Sequence, residues 1–80
     1  MKTFTVQLKS ISEVKAFVNT ACEQPCDIDI VSGRYVIDAK SIMGIFSLDL
    51  SKPITVEVHG TDSDGEKFYQ AVSNFIENKS

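Results

Sequence analysis

The 80-residue chain has one histidine, two cysteines, two prolines and four glycines, and no apolar run approaches the length of a membrane span. A spanning helix needs about 20 consecutive apolar residues, and the N-terminal "MKTFTVQLKSISE" has no continuous apolar stretch of the kind a secretion signal carries. A cytoplasmic protein with no membrane partner is expected. In that setting Cys22 and Cys26 read as free thiols rather than a bridge. A C-x-x-x-C pair also falls short of the four ligands of a structural zinc site, and the single histidine, His59, is far from it in the chain. No metal centre and no cofactor are expected. The glycines, at 33, 44, 60 and 65, are scattered and make no phosphate-cradling loop after a strand. Lysine and arginine number 8 against 11 aspartates and glutamates, a net charge of -3 at pH 7. The electrostatic attraction that dominates nucleic-acid binding is therefore missing, and no direct nucleic-acid partner is expected.

What remains is the composition of an ordinary globular protein. A chain this short buries only about 60% of the surface that its unfolded form exposes, so residues 1–80 read as a single domain. "KTFTVQL" alternates Phe4, Val6 and Leu8 with Thr3, Thr5 and Gln7, the pattern of a strand with one face on a core. Ser10 and Glu13 form an S-x-x-E capping box ahead of Val14, Phe17, Val18, Ala21 and Cys22, which recur at helical spacing up to a stop near Pro25. "CDIDIV" and "RYVIDA" are short β-branched runs around "SG", a hairpin. Ser41 then precedes an apolar stretch, Ile42 to Leu48, long enough for about two helical turns with Ser41 as N-cap. "ITVEVHG" alternates again, with Ile54, Val56 and Val58 on one face and Thr55, Glu57 and His59 on the other. Ser63 and Glu66 repeat the S-x-x-E box before Phe68, Val72, Phe75 and Ile76. The order β-α-β-β-α-β-α has strands polar on one side, so all three helices must cover the other. An α+β open-faced sandwich with a four-stranded, mostly antiparallel sheet is expected.

No nucleophile and base, and no paired carboxylates in a pocket, stand out. The chain reads as not an enzyme, with no catalytic residue. His59 reads as solvent-facing, and Asp27, Asp29, Asp38, Asp62 and Asp64 have turn or cap explanations. Ser41 is the residue of interest. Its commonest role is the cap itself. A helix N-terminus nevertheless suits an anion, Lys40 beside it adds a cation, and a phosphate there would bring about -1.5 to -2 charges to an apolar surface.

"KSIMGIFSL", Lys40 to Leu48, resembles the regulatory-serine segment of HPr, the histidine-containing phosphocarrier of the bacterial phosphotransferase system. "KTFTV", "AFVNTACEQPCDIDI" and the last capped helix fall in line with the same family, whose fold is the β-α-β-β-α-β-α sandwich. The resemblance extends over essentially the whole chain. It implies that Ser41 matches the serine phosphorylated by HPr kinase/phosphorylase and that Ile42 and Met43 match docking residues. Lys40, Phe46 and Ser47 border them as further docking positions. Three departures are apparent. The family's first strand leads into a Gly-(Leu or Ile)-His-Ala-Arg-Pro loop whose histidine carries phosphate between enzyme I and the enzyme II components, whereas "QLKSISEVKAF" has neither histidine nor Arg-Pro and is shorter. Asp49 stands where the family usually has glycine, and the loop through Pro53 is trimmed.

The resemblance and its departures together imply a regulatory or docking protein that cannot carry phosphate on histidine; edge strands leave dimerisation open but nothing favours it, so a monomer is expected. Its implied partners are the kinase/phosphorylase, a catabolite control regulator that itself binds DNA, or phosphotransferase-system components. The catabolite-repression paralogue of HPr, which keeps the serine and lacks the histidine, is the precedent. Two alternatives stay open: a carrier using another nucleophile, and an HPr fold in which "KSIMG" serves packing or phosphate-independent contacts. A ferredoxin-like sandwich is the runner-up fold.

Overall fold

The computed structural model describes residues 1–76. Its elements are β1 (Lys2–Val6), α1 (Ile11–Cys22), β2 (Asp27–Ser32), β3 (Tyr35–Asp38), α2 (Ile42–Phe46), β4 (Ile54–His59) and α3 (Asp62–Ala71), followed by a 3-10 turn at Ser73–Phe75. The four strands form one sheet in the order β1-β4-β2-β3. Every pairing is antiparallel, so the expected open-faced α+β sandwich is the observed fold. β1 and β2 flank β4, while β3 and β4 flank β2. The crossovers through α1 and α2 therefore interleave, which is how a wholly antiparallel sheet accommodates two β-α-β steps.

Alternation places the core as expected. Val6, Ile28, Ile30, Ile54, Val56 and Val58 turn to one face and are buried there against Val14, Phe17, Val18, Ala21, Ile45 and Phe68 of the helices. Phe17 and Phe68 meet edge-on with ring centroids 5.5 Å apart, and Phe4 meets Tyr69 in the same way at 5.1 Å. The β2–β3 hairpin turns through Gly33 and Arg34, since Ser32 pairs with Tyr35. Gly33 has φ +59° and Arg34 does not share the positive sign. That combination is the type II′ pattern, which asks for glycine first and matches the right-handed twist of the strands.

Three local expectations need correction. Cys22, placed on the apolar stripe of α1, is exposed, because the stripe rotates past it at the last helical residue while Ala21 stays in the core. The cap of α3 is Thr61, not Ser63: Thr61 Oγ1 accepts from Asp64 N and Asp64 Oδ2 accepts from Thr61 N, both at 3.1 Å. T-x-x-D satisfies two orphan amides as S-x-x-E would, and starting two residues earlier lets the helix begin directly after Gly60. The helix also stops at Ala71. Val72 is buried, but Phe75 belongs to the 3-10 turn and Ile76 bridges to Val6. Gln7 N donates to Phe75 O at 2.8 Å, so this segment covers the end of the β1 edge.

Candidate functional site

The segment from Asp38 to Leu50 carries the candidate site. Ser41 N donates to Asp38 O at 2.9 Å, making a tight turn out of β3. Ser41 has φ -100° and ψ 99°, the extended geometry of an N-cap, and its Oγ accepts from Gly44 N at 3.3 Å. The side chain is exposed. α2 is one and a half turns rather than two. Ser47, with helical φ and ψ, ends it by donating from Oγ to Gly44 O at 2.6 Å, which satisfies a terminal carbonyl locally.

A helix this short has room for one inward residue per turn. Ile45 is fully buried, and Ile42 is half-buried against the core. Met43 is 75% exposed and Phe46 39%. The apolar run of the sequence thus divides into anchors that hold α2 to the sheet and side chains left facing water. Phe46 also forms one wall of a cleft of about 370 Å³ between the β1–α1 loop and α2, with Leu8, Ile11, Val14 and Leu50 as its other apolar walls. Ile11 is 64% exposed, so together with Met43 and Phe46 it adds to a concentration of apolar surface at this end of the molecule. The contribution of Ile11 and Leu50 was invisible in the sequence, where one reads as the first residue of a helix and the other as part of a loop.

Lys40 is half-buried, and its Nζ donates to Gln24 O, 3.4 Å away just beyond α1. Its backbone N–H goes to Asp38 Oδ1 at 2.9 Å. Beyond the helix, Asp49 Oδ1 accepts from the hydroxyl and from the N–H of Ser51. The Ser51 hydroxyl, then its amide, hold the Asp49 carboxyl below its ordinary range, with Lys52 adding a smaller pull in the same direction.

The N-terminus of α1 holds no imidazole. Ser10 Oγ accepts from Glu13 N at 3.2 Å and caps the helix, while Glu13 Oε1 accepts from Lys9 N at 2.8 Å, so the expected box forms only in its serine half. His59 is on the opposite, helix-free face of the sheet, with Nε2 3.1 Å from Asp29 Oδ2 and 3.5 Å from Glu57 Oε1. The free thiols Cys22 and Cys26 lie near the α1–β2 turn.

The family model described as the PTS HPr component phosphorylation site matches residues 13–78. The chain belongs to the HPr family. The match begins at Glu13, inside α1, and so does not include the β1–α1 loop where the HPr proteins carry their histidine. No curated protein matches the sequence. Among solved structures, HPr-C-His from Thermoanaerobacter tengcongensis is similar at 28% identity and a TM-score of 0.77, over 92% of this chain and 89% of that one. Phosphocarrier protein HPr from Bacillus anthracis str. Ames is also 28% identical, with a TM-score of 0.69 over 95% of this chain and 96% of that one. The HPr fold is thus shared over more than nine-tenths of the chain. Among the described residues, no helix is long and apolar enough to cross a membrane.

Proposed function

We propose that this HPr-family protein is a docking and regulatory member that does not carry phosphate on histidine and engages a protein partner through the Ser41 segment. The observation that carries the reading is the split of α2: Ile45 anchors the helix while Ser41, Met43 and Phe46 remain exposed. Packing alone would leave no reason for a methionine and a phenylalanine on the water side of so short a helix. The only imidazole of the chain is His59, engaged with two carboxylates on the far face, and serine esters are poor phosphoryl donors. A relay through this chain therefore has little chemical support.

Ser41 is the proposed modification point. Its Oγ accepts from Gly44 N, which leaves the hydroxyl hydrogen for the base of a kinase. In the step, Ser41 Oγ bonds to the γ-phosphorus of ATP, the bond to the ADP oxygen breaks, and the hydroxyl proton passes to that base. The ester adds about -1.5 to -2 charges and three acceptor oxygens at the start of α2, beside Met43. A docking surface that was neutral and apolar acquires an anionic rim, which selects a partner offering an apolar pocket next to a cation. Lys40, Ile42 and Ser47 flank this surface, Ile42 more as an anchor than as a contact.

The test is intact mass after incubation with ATP and an HPr kinase/phosphorylase, alongside Ser41→Ala. Gain of one phosphate that Ser41→Ala loses supports the regulatory reading. With no gain, the exposure of Met43 and Phe46 still favours phosphate-independent docking, and Met43→Glu should then lose a partner that the parent chain binds. Transfer of label from phosphoenolpyruvate through enzyme I would overturn both in favour of a carrier.

A further inference from the structure

We infer that the helix-free face of the sheet carries a binding site for a zinc-class divalent cation, formed by His59, Asp29 and Glu57, remote from the Ser41 segment. Glu57 and His59 are two residues apart on β4 and so share a face. Asp29 of β2 pairs directly with Glu57 in the strand register. Like charges in directly opposed positions destabilise a sheet unless something positive lies between them. Among the described residues no lysine or arginine does so: Lys2 pairs with Glu66, and what lies within ion-pair distance of Asp29 and Glu57 is the imidazole nitrogen of His59. Asp38 lies opposite Asp29 on its other side, and Asp27 opposite His59, so the surroundings add negative charge rather than relieve it.

The spacing suits a metal. Zinc binds imidazole nitrogen and carboxylate oxygen at about 2.0–2.2 Å in a tetrahedral arrangement, which puts neighbouring donor atoms about 3.4 Å apart. His59 Nε2 is 3.1 Å from Asp29 Oδ2 and 3.5 Å from Glu57 Oε1. One donor atom from each of the three residues lies within 4.8 Å of the others, so closing the third edge needs only small side-chain rotation. The side chains are each about one-third exposed, open enough for an ion to enter and covered enough to be held by the strands. One nitrogen and two carboxylates suit zinc and similar first-row ions. Calcium needs six to eight oxygens, and magnesium keeps a nearly ideal octahedron of oxygens.

Charge also balances. Two carboxylates neutralise a dication, and the fourth position is left to water or to a donor from elsewhere. Nε2 faces the carboxylates, so ligation uses its lone pair and places the proton of the neutral ring on Nδ1. Without the metal, Nε2 rests 3.1 Å from Asp29 Oδ2.

The experiment is titration of the full chain with zinc at neutral pH, followed by calorimetry and by the nitrogen resonances of His59. One zinc per chain is expected, with the Nε2 signal moving on binding and the Nδ1 signal that of a protonated nitrogen. Because binding to the folded state alone raises stability, zinc at 100 times its Kd should raise Tm by about 10–20 °C. His59→Gln and Asp29→Asn should each weaken binding by more than the roughly 10- to 100-fold that loss of an outer-shell partner costs. The double variant Cys22→Ser/Cys26→Ser should bind as the parent does. Absence of saturable binding, loss of binding with the cysteines instead of His59, or an unmoved His59 Nε2 signal at saturation would each overturn the assignment. Circular dichroism of the apo variants checks that they fold, which their position on the solvent face leads one to expect.

Discussion

Gly44 lies so close to β3 that a Cβ on it would stand 2.6 Å from Ile37 Cγ2. Real Cβ contacts do not come that near. The methyl it would strike belongs to a β-branched side chain, attached directly at Cβ and stiff about χ1, so it cannot swing clear. Glycine at this position is what lets α2 sit down on the sheet edge and present Met43 and Phe46 outward.

Gly44→Ala should therefore destabilise the protein even though alanine is the better helix former. Overpacking costs about 1–3 kcal/mol and the propensity gain offsets up to about 1, so a net loss of about 1–2 kcal/mol is expected. Urea unfolding measures it. An unchanged or raised midpoint would show that α2 does not rest on Ile37.

The two sides of α2 should respond oppositely. Ile45 is fully buried, and Ile45→Ala should cost about 2–5 kcal/mol. Met43→Glu changes a side chain that is 75% exposed and should stay within about 0.5 kcal/mol of the parent. A large loss in Met43→Glu, read in the same urea series, would place Met43 in the core and remove it from the docking surface.

At α3 the cap is Thr61 with Asp64. Thr61→Ala should lose about 1 kcal/mol, whereas Ser63→Ala, on the exposed side of the first turn, should change stability by less than about 0.5 kcal/mol. Equal effects in thermal unfolding would mean that the helix starts later than the Thr61 hydrogen bonds indicate.

Asp49 gives a pH dependence with a definite sign. Its carboxyl is held below the ordinary aspartate range, first by the Ser51 hydroxyl and then by the Ser51 amide. The folded state thus binds that proton less readily than the unfolded state. Its contribution is fully present above the unfolded value and is lost as pH falls through the folded one. The group is on the surface, so the effect is small. Acid titration of stability should be shallower below pH 4 in Asp49→Asn than in the parent, and parallel curves would rule the contribution out.

Much of the fold is legible because its signals are local. Strand alternation in "KTFTVQL" and "ITVEVHG" assigns Val6, Val56 and Val58 to the core without reference to any other element, and all three are buried. The Ser10 cap of α1 is also read correctly, since capping involves residues only a few positions apart, although Glu13 reaches back to Lys9 N and not to Ser10 N. The same logic misplaces the α3 cap, because Thr61 and Ser63 each stand three residues before an acid and local chemistry does not rank them.

The sequence by itself determined the element order, the inward faces of β1 and β4, the cap at Ser41 and the absence of a histidine ahead of α1. All follow from chain-local spacing and residue chemistry. Only the tertiary structure decided that Ile42 and Ile45 turn inward while Met43 and Phe46 do not, since a five-residue helix is too short for its periodicity to name a face and its orientation is settled by contact with Ile37 and the core. Likewise, alternation put Glu57 and His59 on one polar face and the hairpin reading held Asp29, but their meeting depends on β4 inserting beside β2 in a particular register. Strand neighbours and register are set by packing between segments distant in the chain, and periodicity within a segment carries no record of them.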